Sequence, residues 1–576
     1  MGAVSGYTNL IEALEAAPAD RDFVTHWVDE DERETVSFGE FRRRARAQAT
    51  MFREHGLGDG DTVVLLMPQA ISAMTAFAGA MMLGAVPAFL AYPNFKIEPS
   101  KYRAGLAGVT ANLNAKLVVI DEAFPDELLG HIALAEQTKL LRVSERESGG
   151  MQALPALVHS PGTLAFIQHS AGTTGLQKGV ALTHGSVLRQ IEHLASALKI
   201  DRESDRIYSW LPLYHDMGLI ACFMLPMVCH LPVVMQSPLD WVMQPETMLQ
   251  VMTECKCTLG WMPNFAFQFV PRRTPASRWG QYDLSSVRAL INCSEPVRSN
   301  SMREFEQAFS AIGLKPGSLQ SCYAMAENVF AVTQTEVGRT EAPTEIFADS
   351  QVFRSEHRVQ IVEEAAAGRI SFTSSGRVLP GSEVRIVDDT GAPVGAAYIG
   401  EILIKGDSLF EGYYNQPKLS AVAIVDGWYR SGDLGFLFND ELYVVGRKKD
   451  LLIVGGENIY PQDIEAIVET HTAIHDGRAI AIGVYDPDLG TEEIVIAAEV
   501  EREDLLDDDR EKIEQEIRGL VVAGLGVAVR KILLKPPKWI VKSTAGKAAR
   551  SATREKLFLE HRELNPENER EKAHEP

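Results

Sequence analysis

One stretch limits the possible folds more than any other. TVVLLM (62–67) is followed by ISAMTAFAGAMML (71–83) and then AVPAFLA (85–91). A strand covered on both faces reads as an unbroken apolar run, which is the habit of parallel sheets packed under helices. A membrane span is the competing reading of Ile71–Ala91, but the stretch is Ala/Gly-rich and interrupted by Pro87. The pattern predicts a strand over Thr62–Met67, a helix over about Gln69–Leu83 and a strand over Val86–Leu90. That is a buried β-α-β unit.

The same texture recurs in KLVVID (116–121), LPVVMQ (231–236) and VRALINC (287–293). It predicts an α/β chain with a mostly parallel sheet system. With 576 residues, the chain exceeds what one compact core usually supports. From about Val352 the strands become short and bounded by turns, as in RISFTSSG, SEVRIVDDTG, GEILIKG and ELYVVG. This predicts a large N-terminal domain, residues 1–446, whose part from about 352 to 446 is β-rich. A smaller α+β domain follows over 447–562. It has a helix at Pro461–Thr470, strands AIAIGVY, EIVIAAEV and KILLK, and a charged helix at Asp507–Val522. The polar tail 563–576 reads as disordered.

A net charge of −22 argues against a nucleic-acid surface. Six cysteines without a C-x-x-C pair fit neither a disulfide framework nor a zinc site, which points to a reducing, cytoplasmic setting. Nothing at the start reads as a signal peptide.

A second feature bears on chemistry. After the apolar run LAFIQ comes SAGTTGLQKG (170–179). Gly172, Gly175 and Gly179 allow close backbone approach. Ser170, Thr173 and Thr174 supply hydroxyls and Lys178 supplies charge. This suits a polyphosphate, yet no Ser or Thr follows the lysine as a P-loop NTPase requires. A plain Gly-Thr turn is the bland alternative.

Further along stand LPLYHDMGL (211–219), CSEPV (293–297), CYAMAE (322–327), YRSGDLG (429–435), YVVGRKKDLLIVGGENIYPQDIE (443–465) and STAGKAAR (543–550). In this order they resemble the motifs of AMP-forming adenylating enzymes: acyl-CoA synthetases, luciferases and peptide-synthetase adenylation domains. The resemblance covers about residues 30–555. It implies that ATP and a carboxylate give acyl-AMP and pyrophosphate, with Mg²⁺ on the phosphates. By resemblance, Lys547 contacts the carboxylate and the α-phosphate. Glu327 holds Mg²⁺, and the loop Ser170–Lys178 grips the departing pyrophosphate. Glu295 and Pro296 wall the adenine on one side and Tyr323 lies against the other, with Ser294, Ala324 and Met325 also at the adenine or ribose. Asp433 and Arg447 take the ribose. His215 faces the acyl and phosphate region, with Asp216 capping the helix after it. Lys449 marks the hinge about which the small domain swings. A non-catalytic adenylate-binding protein is the distant alternative.

Some wording departs from the family. Ala324 replaces a usual Gly, and Leu176-Gln177-Lys178 lacks a common Pro. WLPLYHDMGLI, MPNFAF (262–267), Glu295 and the long spacing from Glu327 to Gly376 are similar to the fatty-acyl-AMP ligase branch. The segment of about 341–370 is the candidate for that branch's insertion, which implies a restraint on the swing. VGGENIYP (454–461) is closer to the CoA ligases. The thiol acceptor is therefore an acyl carrier protein or CoA. An acyl pocket is expected near Met227, Trp261, Met262, Asn264 and Phe265, for a medium- or long-chain fatty acid, with an aromatic or terpenoid acid as the alternative. These apolar residues also suit ordinary core.

Overall fold

The computed structural model describes residues 6–93, 99–144, 159–169, 177–455, 457–486, 489–500, 507–542 and 548–564. The β-α-β unit forms as strand Thr62–Leu66, helix Ile71–Met82 and strand Val86–Phe89. Its strands lie in an all-parallel four-stranded sheet with Leu117–Asp121 and Lys139–Val143. The helix is apolar all round because it is covered all round. Phe77 stacks on Phe89 at 4.7 Å and also meets Phe166 and Phe223. On another side, a Cβ at Gly79 would lie 2.5 Å from the Ala45 carbonyl oxygen, so only glycine admits helix Phe38–Glu54 this closely. Among the described residues, no helix is long and apolar enough to cross a membrane.

The main sheet has nine strands. Six neighbours in its middle run parallel: Asp22–Trp27, Val233–Met235, Ile207–Ser209, Leu259–Met262, Ala289–Asn292 and Leu319–Ala324. Their carboxyl ends share one edge, where open parallel sheets place ligands. The segments leaving that edge begin at Val28, Trp210, Gln236, Pro263, Cys293 and Met325. Those starting at Trp210, Pro263, Cys293 and Met325 lie within the motif stretches or at their starts.

A smaller antiparallel sheet contains Leu164–His169, which leads into the Gly-Thr loop, and Gly179–Thr183, which leaves it. The two-residue strand Gly412–Tyr413 pairs with that exit strand. The β-rich stretch differs in part from expectation. Arg369–Thr373 pairs with Glu345–Asp349, and Arg377–Val378 joins the nine-stranded sheet. The antiparallel sheet proper holds Ser382–Val387, Gly400–Gly406, Ile424–Val425, Trp428–Phe438 and Glu441–Arg447. Short Gly-bounded runs announce strands without naming their partners.

Beyond it, Ile474–Asp486, Thr491–Val500 and Val529–Lys535 form a sheet under helices Pro461–Val468 and Asp507–Leu525. Its apolar faces make a cluster separate from the main core, centred on Ile464, Val468, Ile496 and Ile517. The described chain extends two residues into the expected tail, where Leu564 is buried. Residues 565–576 lie outside the described residues.

Candidate active site

At one end of the site, strands Trp428–Phe438 and Glu441–Arg447 form a hairpin whose register sets Asp433 opposite Arg447. Cross-strand partners of opposite charge meet there. Arg447 Nε lies 3.5 Å from Asp433 Oδ1. From the other sheet, the Tyr323 hydroxyl donates to Asp433 Oδ2 at 2.6 Å. Burial pushes the Asp433 carboxyl upward in pKa, and Arg447 and Tyr323 oppose it. Lys449 is exposed nearby, with its pKa pushed down first by desolvation and then by Arg447.

The phosphate end is built differently. Ser170, Gly172, Thr173, Thr174 and Gly175 lie outside the described residues, as does Lys547. Lys178 is described, with its Nζ 4.7 Å above the ring of Tyr413. The Tyr413 hydroxyl donates to Glu327 Oε1 at 2.8 Å, and the Tyr429 hydroxyl lies 3.4 Å from that of Tyr413. Burial raises the Glu327 pKa, while Tyr413, Lys178 and Tyr429 pull it down. The chain after Glu327 turns tightly. Asn328 O accepts the Phe330 N–H at 2.6 Å, and Val329 between them has φ 62° and ψ −54°. This is a γ-turn in a region costly for a β-branched residue. It persists beside a candidate metal carboxylate, where such strain concentrates.

Ser294 also has positive φ, at 71°. Glu295 Oε2 accepts the Phe265 N–H at 3.0 Å, which ties the loops after two neighbouring strands together. Pro296 is exposed, while Ala324 and Met325 are partly buried. His215 Nδ1 lies 2.6 Å from Asp216 Oδ1, and Asp216 accepts the Met217 N–H at 2.8 Å. The helix it caps, Met217–Met224, is wound as a π-helix, a form that favours functional sites.

The acyl-side residues divide. Met227, Trp261 and Met262 are fully buried in the main core. Asn264 accepts from Asn292 Nδ2 at 2.9 Å and the Arg298 N–H at 3.0 Å, and donates to Ser301 at 3.0 Å. Its polar atoms are thus engaged in supporting the loop of Glu295. Phe265 joins Trp210, Trp241 and Phe269, with the two indoles stacked at 3.6 Å and 2°. The sequence reading did not single out Trp241, Phe269, Tyr413 or Tyr429. Only an aromatic beside a Gly-bounded turn could have flagged Tyr413.

The donor set suits the groups the motifs imply. Among the described residues, no three His, Cys, Asp or Glu side chains gather as a metal cage. Mg²⁺ characteristically takes one or two carboxylates and completes its octahedron with phosphates and water, so Glu327 alone is a fitting protein ligand. Asp433 offers a partly buried acceptor pair of the kind that ribose hydroxyls require.

Residues 11–414 match the sequence model of the family described as AMP-binding enzyme. The chain belongs to that family. This AMP-binding enzyme is similar to 4-hydroxyphenylalkanoate adenylyltransferase of Mycobacterium tuberculosis, 29% identical over 92% of this chain and 87% of the relative. It is also similar to an M. tuberculosis protein provisionally named fatty-acid–CoA ligase fadD25, 27% identical over 90% of this chain and 91% of the relative. Among solved structures, one from a study of fatty acyl-adenylate ligases of E. coli and L. pneumophila superposes with a TM-score of 0.88. It is 25% identical and covers 97% of this chain and 99% of that one. The enzyme is an AMP-forming ligase that uses ATP and a carboxylic acid.

Proposed function

We propose that this enzyme activates a medium- or long-chain fatty acid as its acyl-AMP and passes the acyl group to the pantetheine thiol of a carrier protein. In the first half-reaction a carboxylate oxygen attacks the α-phosphorus, the bond to the bridging oxygen breaks, and pyrophosphate leaves. Attacker and target are both anionic, so positioned positive charge must screen them. Lys547 takes that role, and Lys178 with the loop 170–176 grips the leaving pyrophosphate. Mg²⁺ supplies further charge neutralisation when bound, with Glu327 as its protein ligand. Asp433 accepts from the ribose hydroxyls, Arg447 holds Asp433, and Tyr323 is fixed by the same carboxylate. In the second half-reaction the thiol sulfur attacks the acyl carbon, its proton leaves to solvent, and AMP departs.

The observation that carries adenylation is the convergence of Asp433, Arg447 and Tyr323 beside Glu327, Tyr413 and Lys178. The observation that favours a carrier protein is the contact between residues 345–373 and the C-terminal unit. Arg354 donates to the Leu525 carbonyl, Asn458 meets His357 at 2.9 Å, and Phe353 packs on Tyr460 at 5.4 Å. Such contacts oppose rotation of the unit about Lys449. CoA as acceptor is the second reading, favoured by VGGENIYP. The test offers preformed acyl-AMP to CoA and to holo-carrier protein separately. Product with CoA alone overturns the carrier assignment. Absence of ATP–pyrophosphate exchange across a broad panel of acids overturns adenylation.

A further inference from the structure

The chain at 410–414 touches both halves of the phosphate end. The Phe410 N–H donates to the Glu327 carbonyl at 2.9 Å. The Glu411 and Tyr414 N–H groups donate to Ala181 O and Gly179 O at 3.1 and 2.7 Å. Those two acceptors lie on the strand that leaves the phosphate loop, and Tyr413 stands in register with Val180. The backbone of this short strap therefore joins the loop's exit to Glu327.

The Tyr413 side chain repeats the connection. Its hydroxyl donates to Glu327, while its ring lies under the Lys178 ammonium. Phe410 meets the Tyr413 ring edge-on at 5.0 Å, and Tyr429 in turn meets Phe410 edge-on at 5.5 Å. Tyr413 is 5% exposed, and its hydrogen bond to Glu327 is buried, while Lys178 is partly exposed. The Tyr413 N–H donates to Ser420 Oγ at 2.8 Å, and a Cβ at Gly412 would lie 2.9 Å from that same oxygen. The strap is thus fixed from behind as well.

We infer that Tyr413 is a positioning residue whose single phenol ties the Glu327 carboxylate to the Lys178 ammonium, coupling metal holding to the grip on pyrophosphate; this rests on the adenylation reading above. The hydroxyl aims one carboxylate oxygen and leaves the other for the metal. The ring face holds Lys178 over the same point. Neither function is needed for packing alone, because phenylalanine fills the same space.

The test measures Mn²⁺ binding by electron paramagnetic resonance, with the full-length protein and α,β-methylene-ATP or pyrophosphate. A hydrogen bond to a charged group sets the expectation: Tyr413→Phe weakens nucleotide-dependent Mn²⁺ binding by roughly tenfold or more. Metal-free nucleotide binding and fatty-acid affinity stay at wild-type levels. Lys178→Met and Tyr413→Phe, combined in a cycle on Mn²⁺–pyrophosphate affinity, are non-additive. Unchanged Mn²⁺ affinity in Tyr413→Phe, or strict additivity, overturns the coupling. Should Tyr413→Phe fail to fold, Tyr429→Phe serves instead. It removes only the outer hydroxyl, and unchanged Mn²⁺ binding there overturns the network. A wild-type protein with no nucleotide-dependent Mn²⁺ binding sinks the adenylation reading itself, a result distinct from a failed Tyr413 test.

Discussion

Replacing Asp433 by alanine gives the sharpest test of the nucleotide site. In the free protein its carboxylate holds Tyr323 at 2.6 Å and stands 3.5 Å from Arg447. In the proposed complex it accepts from two ribose hydroxyls. Each hydrogen bond to a charged group is worth about 1.5–3 kcal/mol, and water entering the space recovers part of that. A net loss of about 3–4 kcal/mol converts to between two and three decades in kcat/KM for ATP, at about 1.4 kcal/mol per decade. The assay is ATP–pyrophosphate exchange at saturating fatty acid, with ATP varied. The KM for the acid stays near wild type, because Asp433 does not touch it. Asp433→Asn, which keeps one acceptor oxygen, loses only about one decade. The Tyr323→Phe change should be non-additive with Asp433→Ala, since both break one contact. A loss below about tenfold for Asp433→Ala, with the fold intact, would refute the ribose assignment.

Three further outcomes are expected. A Cβ at Gly218 would lie 2.1 Å from the Pro212 carbonyl oxygen, so Gly218→Ala displaces the turn carrying His215; it costs about 1–3 kcal/mol and most of the exchange activity, and unchanged thermal unfolding counts against it. Burial raises Glu469 from its ordinary 4.5 to about 7. A raised carboxyl stabilises below its unfolded pKa, and that contribution is lost as pH rises through about 7. Glu469→Gln therefore stabilises at pH above that value by on the order of 2 kcal/mol, allowing for partial exposure, and is neutral near pH ~4; a gain independent of pH contradicts it. Arg354→Ala removes the bond to the Leu525 carbonyl and should raise acyl transfer to CoA relative to carrier protein, whereas an unchanged ratio argues against restraint by residues 345–373.

Much of the architecture was legible where a residue's surroundings leave a mark on its neighbours in sequence. TVVLLM and VRALINC read as doubly covered strands, and both formed in parallel sheets. Gly218 and Gly79 are small because backbone lies against them, and the Ala/Gly content of 71–83 records a close helix–helix approach that mimics a membrane signal. What stayed hidden is pairing between distant segments. Arg369–Thr373 and Ser382–Val387 have the same texture, yet they belong to different sheets. The strained φ of Val329 is likewise invisible, since nothing about valine announces a γ-turn.

Tyr413 leaves no such mark in the sequence, whereas Glu327 and Lys178 do. Glu327 and Lys178 act directly on bound groups, so their chemistry shows in residue type: a carboxylate for a cation, an ammonium for a phosphate. Tyr413 acts on those two side chains, and a tyrosine after Gly412 is also what a simple turn would contain. Its pairing with the loop's exit strand spans more than 200 residues of sequence, and its short strand is too brief for a period of two to register. Only the fold brings the phenol within 2.8 Å of Glu327 and under Lys178. Residues that aim others are therefore found by asking what holds each charged group at a site, and here Glu327 and Lys178 give the same answer.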